Sequence, residues 1–345
     1  MKIARALFDE MVSIEHLFHC WLEFKRGKKK RKDLQSFEGR IEDRLFHLKD
    51  ELSTLSYRHG PYDHFYVTDP KQRRISKASV KDRLVHQIVY ATLSPVFDKT
   101  FIFDSFSSRL GKGTHAGIAR LRNLLQKASR NGKKPCYALK MDIKRFFDNV
   151  DHALLKTLLC RTICDTRMIH LVDTIIDSFH TDAPHIGLPL GNVTSQLFAN
   201  VYLNELDLYI KHQLREPYYL RYCDDFILLS NGEAHLKGLI DPIRGFLQDT
   251  LHLRLHPKKI SLKKFTQGID FLGYVLFPHY TRVRTKTKKR LKKRLQKTHE
   301  HYVSGHIAPT ALNQCLQSYL GVLSHADEFT LSSHLKNSYS LSCRK

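Results

Sequence analysis

Three aspartates fall where strands should end. Asp142 closes the alternating run CYALKMDI (136–143). Asp224 and Asp225 are adjacent within YYLRYCDDFILLS (218–230), which reads as a β-hairpin with both acids at its tip. Neighbouring carboxylates flanked by Tyr222, Phe226, Ile227 and Leu228 repel one another and are costly unless a cation neutralises them. Three acids converging from two strands would make an oxygen-only site suited to Mg²⁺. Two such ions, ~3.5–4 Å apart, clamp the attacking and leaving oxygens of an in-line phosphoryl displacement. Taken alone, an Asp-Asp pair is more often an ordinary turn, so the surroundings carry the weight.

The elements that must position these acids follow from periodicity. An amphipathic helix is expected over 4–24, with Met11, Ile14, Leu17, Phe18 and Trp21 at helical spacing, and a second one carries Phe37, Ile41, Leu45, Leu48 and Leu52. The basic link KRGKKKRK (25–32) joins them and reads equally as a solvated loop or a phosphate contact. Residues 61–80 look extended, 81–99 and 115–130 helical, 151–180 helical, 194–212 helical and 233–251 helical. Short strands are expected in 253–264 and 269–277, then a basic helical end with one helix over 310–336.

The chain has 345 residues, 57 Lys and Arg against 34 Asp and Glu, and a formal net charge of +23. Such an excess points to a polyanionic partner, nucleic acid first and an anionic membrane second. A hydrophobic fraction of 42% excludes a disordered chain. No apolar run approaches the ~18–20 residues of a membrane span. The acids inside the first apolar stretch argue against a signal peptide. Seven scattered cysteines, with Cys160 and Cys164 four apart and no CxxC pair, suggest neither a disulfide framework nor a zinc ribbon. A reducing, cytoplasmic setting without membrane contact is expected. From Arg282 to Lys297 there are ten lysines and arginines and no acid. Uncompensated, they would repel one another, which favours a phosphate backbone over a merely solvated helix.

The order KMDIKRFFDNVDH (140–152), GLPLGNVTSQ (187–196), YCDD, HPKK and FLGY (271–274) resembles the reverse transcriptase family over about residues 60–280. The resemblance implies an α+β right-hand polymerase: an N-terminal helical extension (1–60), fingers (61–135), a palm with an antiparallel sheet (136–279, with 151–186 contributing to the fingers) and a helical basic thumb (280–345). It implies that Asp142, the backbone carbonyl of Ile143, Asp224 and Asp225 hold two Mg²⁺ ions, with Mn²⁺ as a substitute. Phe147 matches the steric gate that rejects a ribose 2′-hydroxyl; by itself it reads as a core residue. Lys71 and Arg73, or Arg74 one place along, match the grip on the dNTP triphosphate. Leu190, Gly191 and Gln196 fall in the dNTP-binding segment. Lys259, or Lys258 beside it, matches a general acid for pyrophosphate. Arg109, Lys112 and His115 of SSRLGKGTHAG match a loop near the template. Asp82-Arg83 is expected to be a structural ion pair. Gly273 marks the primer grip. Arg282, Arg284, Lys288, Lys289, Lys292 and Lys293 are the expected template and primer contacts of the thumb.

Leu190-Gly191 and Ser195-Gln196 stand where many members have Gln-Gly and Ser-Pro, and this version resembles reverse transcriptases of diversity-generating retroelements. Such enzymes copy a template-repeat RNA into cDNA with errors opposite adenine and work with a small basic accessory protein that forms a ring. A leucine cannot make the hydrogen bond that a glutamine offers near the nucleotide. The loss amounts to ~1–2 kcal/mol of selection between right and wrong pairs. Retron, group II intron and abortive-infection enzymes are the alternatives. The first lacks its Val-Thr-Gly signature here, and the others need domains for which the ~65 residues after 280 leave little room. A non-catalytic RNA-binding protein on a polymerase scaffold is the rival from another class. The intact carboxylates and Phe147 speak against it. A basic membrane-surface protein would need more exposed apolar area than the stripe of Leu291 and Leu295 offers.

Overall fold

Four consecutive apolar residues, Phe226 to Leu229, require a strand covered on both faces. The computed structural model, which describes residues 7–68 and 72–340, supplies both covers. The chain begins with four helices, α1 (Leu7–Met11), α2 (Ile14–Lys25), α3 (Lys32–Glu38) and α4 (Ile41–Ser53). The expected single helix over 4–24 is broken at Ser13, whose hydroxyl caps α2 by accepting from the His16 amide. An exposed hairpin of β1 (Asp63–Val67) and β2 (Arg73–Lys77) follows, then α5 (Val80–Asp98) and α6 (Thr114–Ala128). Strand β3 (Tyr137–Asp142) leads to α7 (His152–Cys160), α8 (Thr166–Asp177) and α9 (Val193–Leu208). The hairpin of β4 (Tyr219–Tyr222) and β5 (Asp225–Ser230) comes next, then α10 (Glu233–Gly238), α11 (Ile240–Asp249) and β6 (Ser261–Lys264). Strands β7 (Ile269–Phe271), β8 (Tyr274–Leu276) and β9 (Thr281–Val283) precede α12 (Thr285–Val303), α13 (Pro309–Leu323) and α14 (Phe329–Ser340).

The central sheet has the order β4-β5-β3-β6, all antiparallel. Side chains alternate across it. Leu139, Met141, Phe226, Leu228 and Tyr219 enter one apolar core with α2, α4, α5, α7, α8 and α9. Ala138, Ile227, Leu229 and Leu220 enter a second with α6, the β7–β9 sheet and the last three helices. The molecule is thus α+β, with a sheet sandwiched between two helical layers.

Three expectations are corrected. Residues 310–336 form two helices, α13 and α14, not one. Only 261–264 of the 253–264 segment joins the sheet, although Leu255 bridges to Ile143 just beyond the end of β3. Strand β9 was not expected; its edge is completed by side chains, with the Thr281 amide donating to Asp327 (2.7 Å) and the Val283 amide to Glu328 (3.1 Å).

Candidate active site

Strand register brings the acids together. Asp142 lies directly opposite Asp225 in the β3–β5 pair, and the Ile143 amide donates to the Asp224 carbonyl at 3.1 Å. Cys223 and Asp224 form a two-residue turn between the paired Tyr222 and Asp225. Cys223 is in the left-handed region at φ +55°, which costs a non-glycine residue ~1 kcal/mol.

A buried ion pair holds that turn from beneath. Arg221 and Asp207 are both fully buried and joined in a two-point contact at 2.8 and 2.7 Å. The guanidinium also donates to the Cys223 carbonyl (3.2 Å), Asn200 Oδ1 (3.3 Å) and Ser105 Oγ (3.1 Å). Tyr219 donates its hydroxyl to Asp207 at 2.6 Å. All five guanidinium N–H groups therefore have acceptors.

The carboxylates are electrostatically crowded. Burial, then the neighbouring Asp142 and Asp224, push Asp225 up to about 6 against the opposing pull of Lys140, 3.5 Å away. Burial and then Asp142 also raise Asp224. Lys259 Nζ lies 2.6 Å from Asp142. Two lysines thus partly balance three acids, and an all-oxygen cluster that resists full ionisation fits divalent cations such as Mg²⁺.

That crowding has a measurable sign. Asp225 holds its proton in the folded state at pH values where the unfolded chain has lost it. Its ionisation therefore removes stability as pH rises from about 4 to about 6. Asp225→Asn is expected to stabilise the metal-free protein by ~1–3 kcal/mol at pH 7, with the gain vanishing near pH 3, below both the folded and the unfolded titration. Melting curves in a chelator at the two pH values test this, and an equal shift at both would contradict it.

A cleft of about 610 Å³ opens beside the acids, lined by Asp224, Asp225, Phe147, Leu190, Gly191, Gln196 and Arg73 among others. That volume suits a nucleotide-sized ligand. Phe147 packs edge-on against Phe146 with ring centres 5.2 Å apart. Gly191 has φ +121°, and a Cβ there would come within 3.1 Å of Ile75 on β2. The Leu190 carbonyl accepts from the Ser76 amide at 3.0 Å, tying the β1–β2 hairpin to this wall. Lys71 lies outside the described residues. Arg74 is exposed on β2 but does not line the cleft.

Among the cleft residues to which the sequence assigned no site role are Arg145, Tyr222, Leu272 and Asn192. Asn192 is 3% exposed, and neither atom of its amide has a hydrogen-bond partner. Only its place two residues after Leu190 hints at the site.

Several expected nucleic-acid contacts have partners within the protein. Arg109 is 7% exposed and donates to Asp98 at 2.5 Å and to the carbonyls of Asp98, Ile102 and Ser105. It braces the loop. Lys112 donates to the Phe103 carbonyl and lies 3.5 Å over the ring of Phe103. His115 stacks on His325, ring centres 3.6 Å apart, joining α6 to the loop between α13 and α14. Arg284 pairs with Asp270, and Lys288 with Glu328. So at least two of the ten charges over 282–297 are compensated, contrary to expectation. Arg282, Lys289, Lys292 and Lys293 are exposed. Gly273 sits in a turn, at φ +91° beside Leu272 at +47°, with no protein atom beyond its chain neighbours nearer than 3.8 Å to where a Cβ would stand. Asp82 and Arg83 do not pair with each other: Asp82 accepts from Tyr57 and Ser79, and Arg83 donates to Asp33 at 2.8 Å.

Among the described residues no helix is long and apolar enough to cross a membrane. In sequence, the chain is 27% identical over 278 residues to Protein YkfC of Escherichia coli, covering 69% of this chain and 72% of that one. It is 22% identical to the group II intron-encoded protein LtrA of Lactococcus lactis, covering 69% of this chain and half of that one. It is 29% identical to the retron Ec73 reverse transcriptase of Escherichia coli over 37% of this chain and 42% of that one. Residues 68–276, which hold all three aspartates and the cleft wall, match the model of the reverse transcriptase (RNA-dependent DNA polymerase) family, and the chain belongs to that family.

Proposed function

We propose that this reverse transcriptase serves a diversity-generating retroelement, copying a template-repeat RNA into cDNA with errors concentrated at template adenines. The observation that carries the reading is Leu190 in the wall of the cleft with Gly191, Gln196, Phe147 and the two turn aspartates. In this reading 61–135 are fingers, 136–279 palm with 151–186 contributing to the fingers, 280–345 thumb and 1–60 an N-terminal extension.

Asp142, Asp224, Asp225 and the Ile143 carbonyl would hold two Mg²⁺ ions, with Mn²⁺ as a substitute. When bound, the ions activate the primer 3′-hydroxyl and neutralise the triphosphate. Arg73 grips the triphosphate, and Phe147 fills the space a ribose 2′-hydroxyl would need. Lys259, paired with Asp142, would give a proton to leaving pyrophosphate. Arg282, Lys289, Lys292 and Lys293 form an exposed cationic face for the phosphates of an RNA–DNA duplex. A small basic accessory protein forming a ring is the expected partner.

The test is sequencing of cDNA made from a template containing all four bases. Errors clustered opposite adenine support the reading, and Leu190→Gln is expected to lower them by roughly five- to thirty-fold. The names of the relatives favour a second reading, a group II- or retron-type enzyme. Errors spread evenly over the four template bases, unmoved by Leu190→Gln, would select it.

A further inference from the structure

A separate group of ligand-type side chains lies behind the cleft wall. His152 opens α7, Asp177 closes α8, and His185 stands in the loop between α8 and α9. One ligand atom from each lies within 4.8 Å of the other two.

The chemistry of His152 gives the group its meaning. The side chain is 2% exposed, and its Nε2 is 2.7 Å from the Gly187 carbonyl. A carbonyl only accepts, so Nε2 carries the proton and Nδ1 carries a lone pair. That buried Nδ1 has no hydrogen-bond partner. Asp177 Oδ1 lies 3.8 Å from it, too far for a hydrogen bond. Burial lowers the proton affinity of the ring, so the neutral, ligating form is present at neutral pH.

The two companions are set around that lone pair. Asp177 accepts from Lys156 (2.7 Å) through Oδ2, leaving Oδ1 toward His152. His185 is held in the left-handed region at φ +58°, with its ring edge-on to His152. Such backbone strain persists only where surrounding structure maintains it. An imidazole fixed by a backbone carbonyl and a carboxylate fixed by a lysine are outer-shell supports typical of metal ligands.

We infer that His152, Asp177 and His185 bind a borderline divalent transition-metal ion, zinc first, with water as the fourth ligand. Two imidazoles and one carboxylate suit Zn²⁺ and not Mg²⁺, which takes oxygen ligands. Ligand atoms in tetrahedral zinc sites stand ~3.3 Å apart, so the group must close by ~1 Å on binding. The side chains of His185 and Asp177 are exposed, so a rotamer change can bring them in, and buried His152 is the anchor. The bound ion clips the loop that ends at Gly187. The Gly187 and Leu188 amides donate to the carbonyls of Val150 and Phe147 at 2.8 and 2.7 Å. Occupancy would therefore steady the backbone leading to Phe147 and Leu190. The site depends in no way on which retroelement the enzyme serves.

The experiment uses the full chain, free of any affinity tag, titrated in separate metal-free samples with Zn²⁺ and with Co²⁺, each in excess Mg²⁺. One equivalent of Co²⁺ should give the visible bands of a tetrahedral site without a sulfur charge-transfer band. His185→Ala and Asp177→Asn, both at exposed positions, should each weaken Zn²⁺ binding by ~100-fold and abolish the rise in melting temperature that saturating Zn²⁺ gives the parent. Cys160→Ser/Cys164→Ser should leave all of this unchanged. The inference is overturned if no equivalent binds, if a sulfur band appears, or if binding survives in His185→Ala and Asp177→Asn.

Discussion

Asp224→Asn should reduce primer extension on an RNA template by ~10³–10⁴-fold, a loss of roughly 4–5.5 kcal/mol of transition-state stabilisation. The substitution keeps the shape of the side chain and removes one charge from the acidic cluster. Asp224 sits in the two-residue turn, and its backbone carbonyl, not its carboxylate, accepts from Ile143. The hydrogen bond that joins the strand ends therefore survives. Burial and Asp142 both disfavour its charge, so the amide should fold at least as well as the acid. Activity should collapse while melting temperature and RNA–DNA duplex binding hold. A variant retaining more than a tenth of parental extension would rule out the assignment of Asp224 to the metal-holding set.

The second large effect concerns stability. Arg221→Met leaves Asp207 buried, charged and without its cation, and such broken pairs cost ~3–5 kcal/mol. The melting temperature should fall by roughly 4–7 °C. The same change frees the Cys223 carbonyl from its guanidinium donor. Adding Asp207→Leu removes the stranded carboxylate and should restore most of the lost stability, because an apolar pair of similar volume is tolerated where a lone charge is not. Extension should stay low in the double variant, since the Cys223 carbonyl of the turn that presents Asp224 then has no guanidinium to brace it. Full recovery of both stability and activity would mean that Arg221 serves packing alone.

The three aspartates were legible because strand alternation and a short hairpin constrain where acids can go, and register then brings Asp142 opposite Asp225. The ordered motifs gave the family, and the cleft residues Phe147, Leu190, Gly191 and Gln196 came with them. Arg221 was not legible: in sequence a buried arginine looks like any surface charge, and its partner lies on α9, fourteen residues upstream. The same blindness hid the intramolecular partners of Arg109, His115, Arg284 and Lys288. Each meets a partner from a distant segment (Asp98, His325, Asp270 and Glu328), and a count of charges along the chain does not show such pairing. Helix breaks such as Ser13 were missed because the hydrophobic spacing runs on across a cap. Strand β9, three residues long, depends on the side chains of Asp327 and Glu328 and carries too short a pattern to stand out.

The order β4-β5-β3-β6 has a consequence for how the protein is made. Strand β3 finishes at Asp142, yet its two neighbours begin only at Asp225 and Ser261. The ends of a long intervening loop must meet before any pairing repays the entropy of closing it. On the ribosome, β3 therefore emerges as an apolar strand with two open edges and waits while α7, α8 and α9 are synthesised. The N-terminal helices and α5 can shelter one of its faces in that interval, since they already share a core with Leu139 and Met141. The other face shares its core with α6, also already made, but the rest of its cover, the β7–β9 sheet and the last three helices, comes only after 261, and the edge that takes β6 stays open until then, which makes the nascent chain most exposed to misassembly just before its catalytic centre closes.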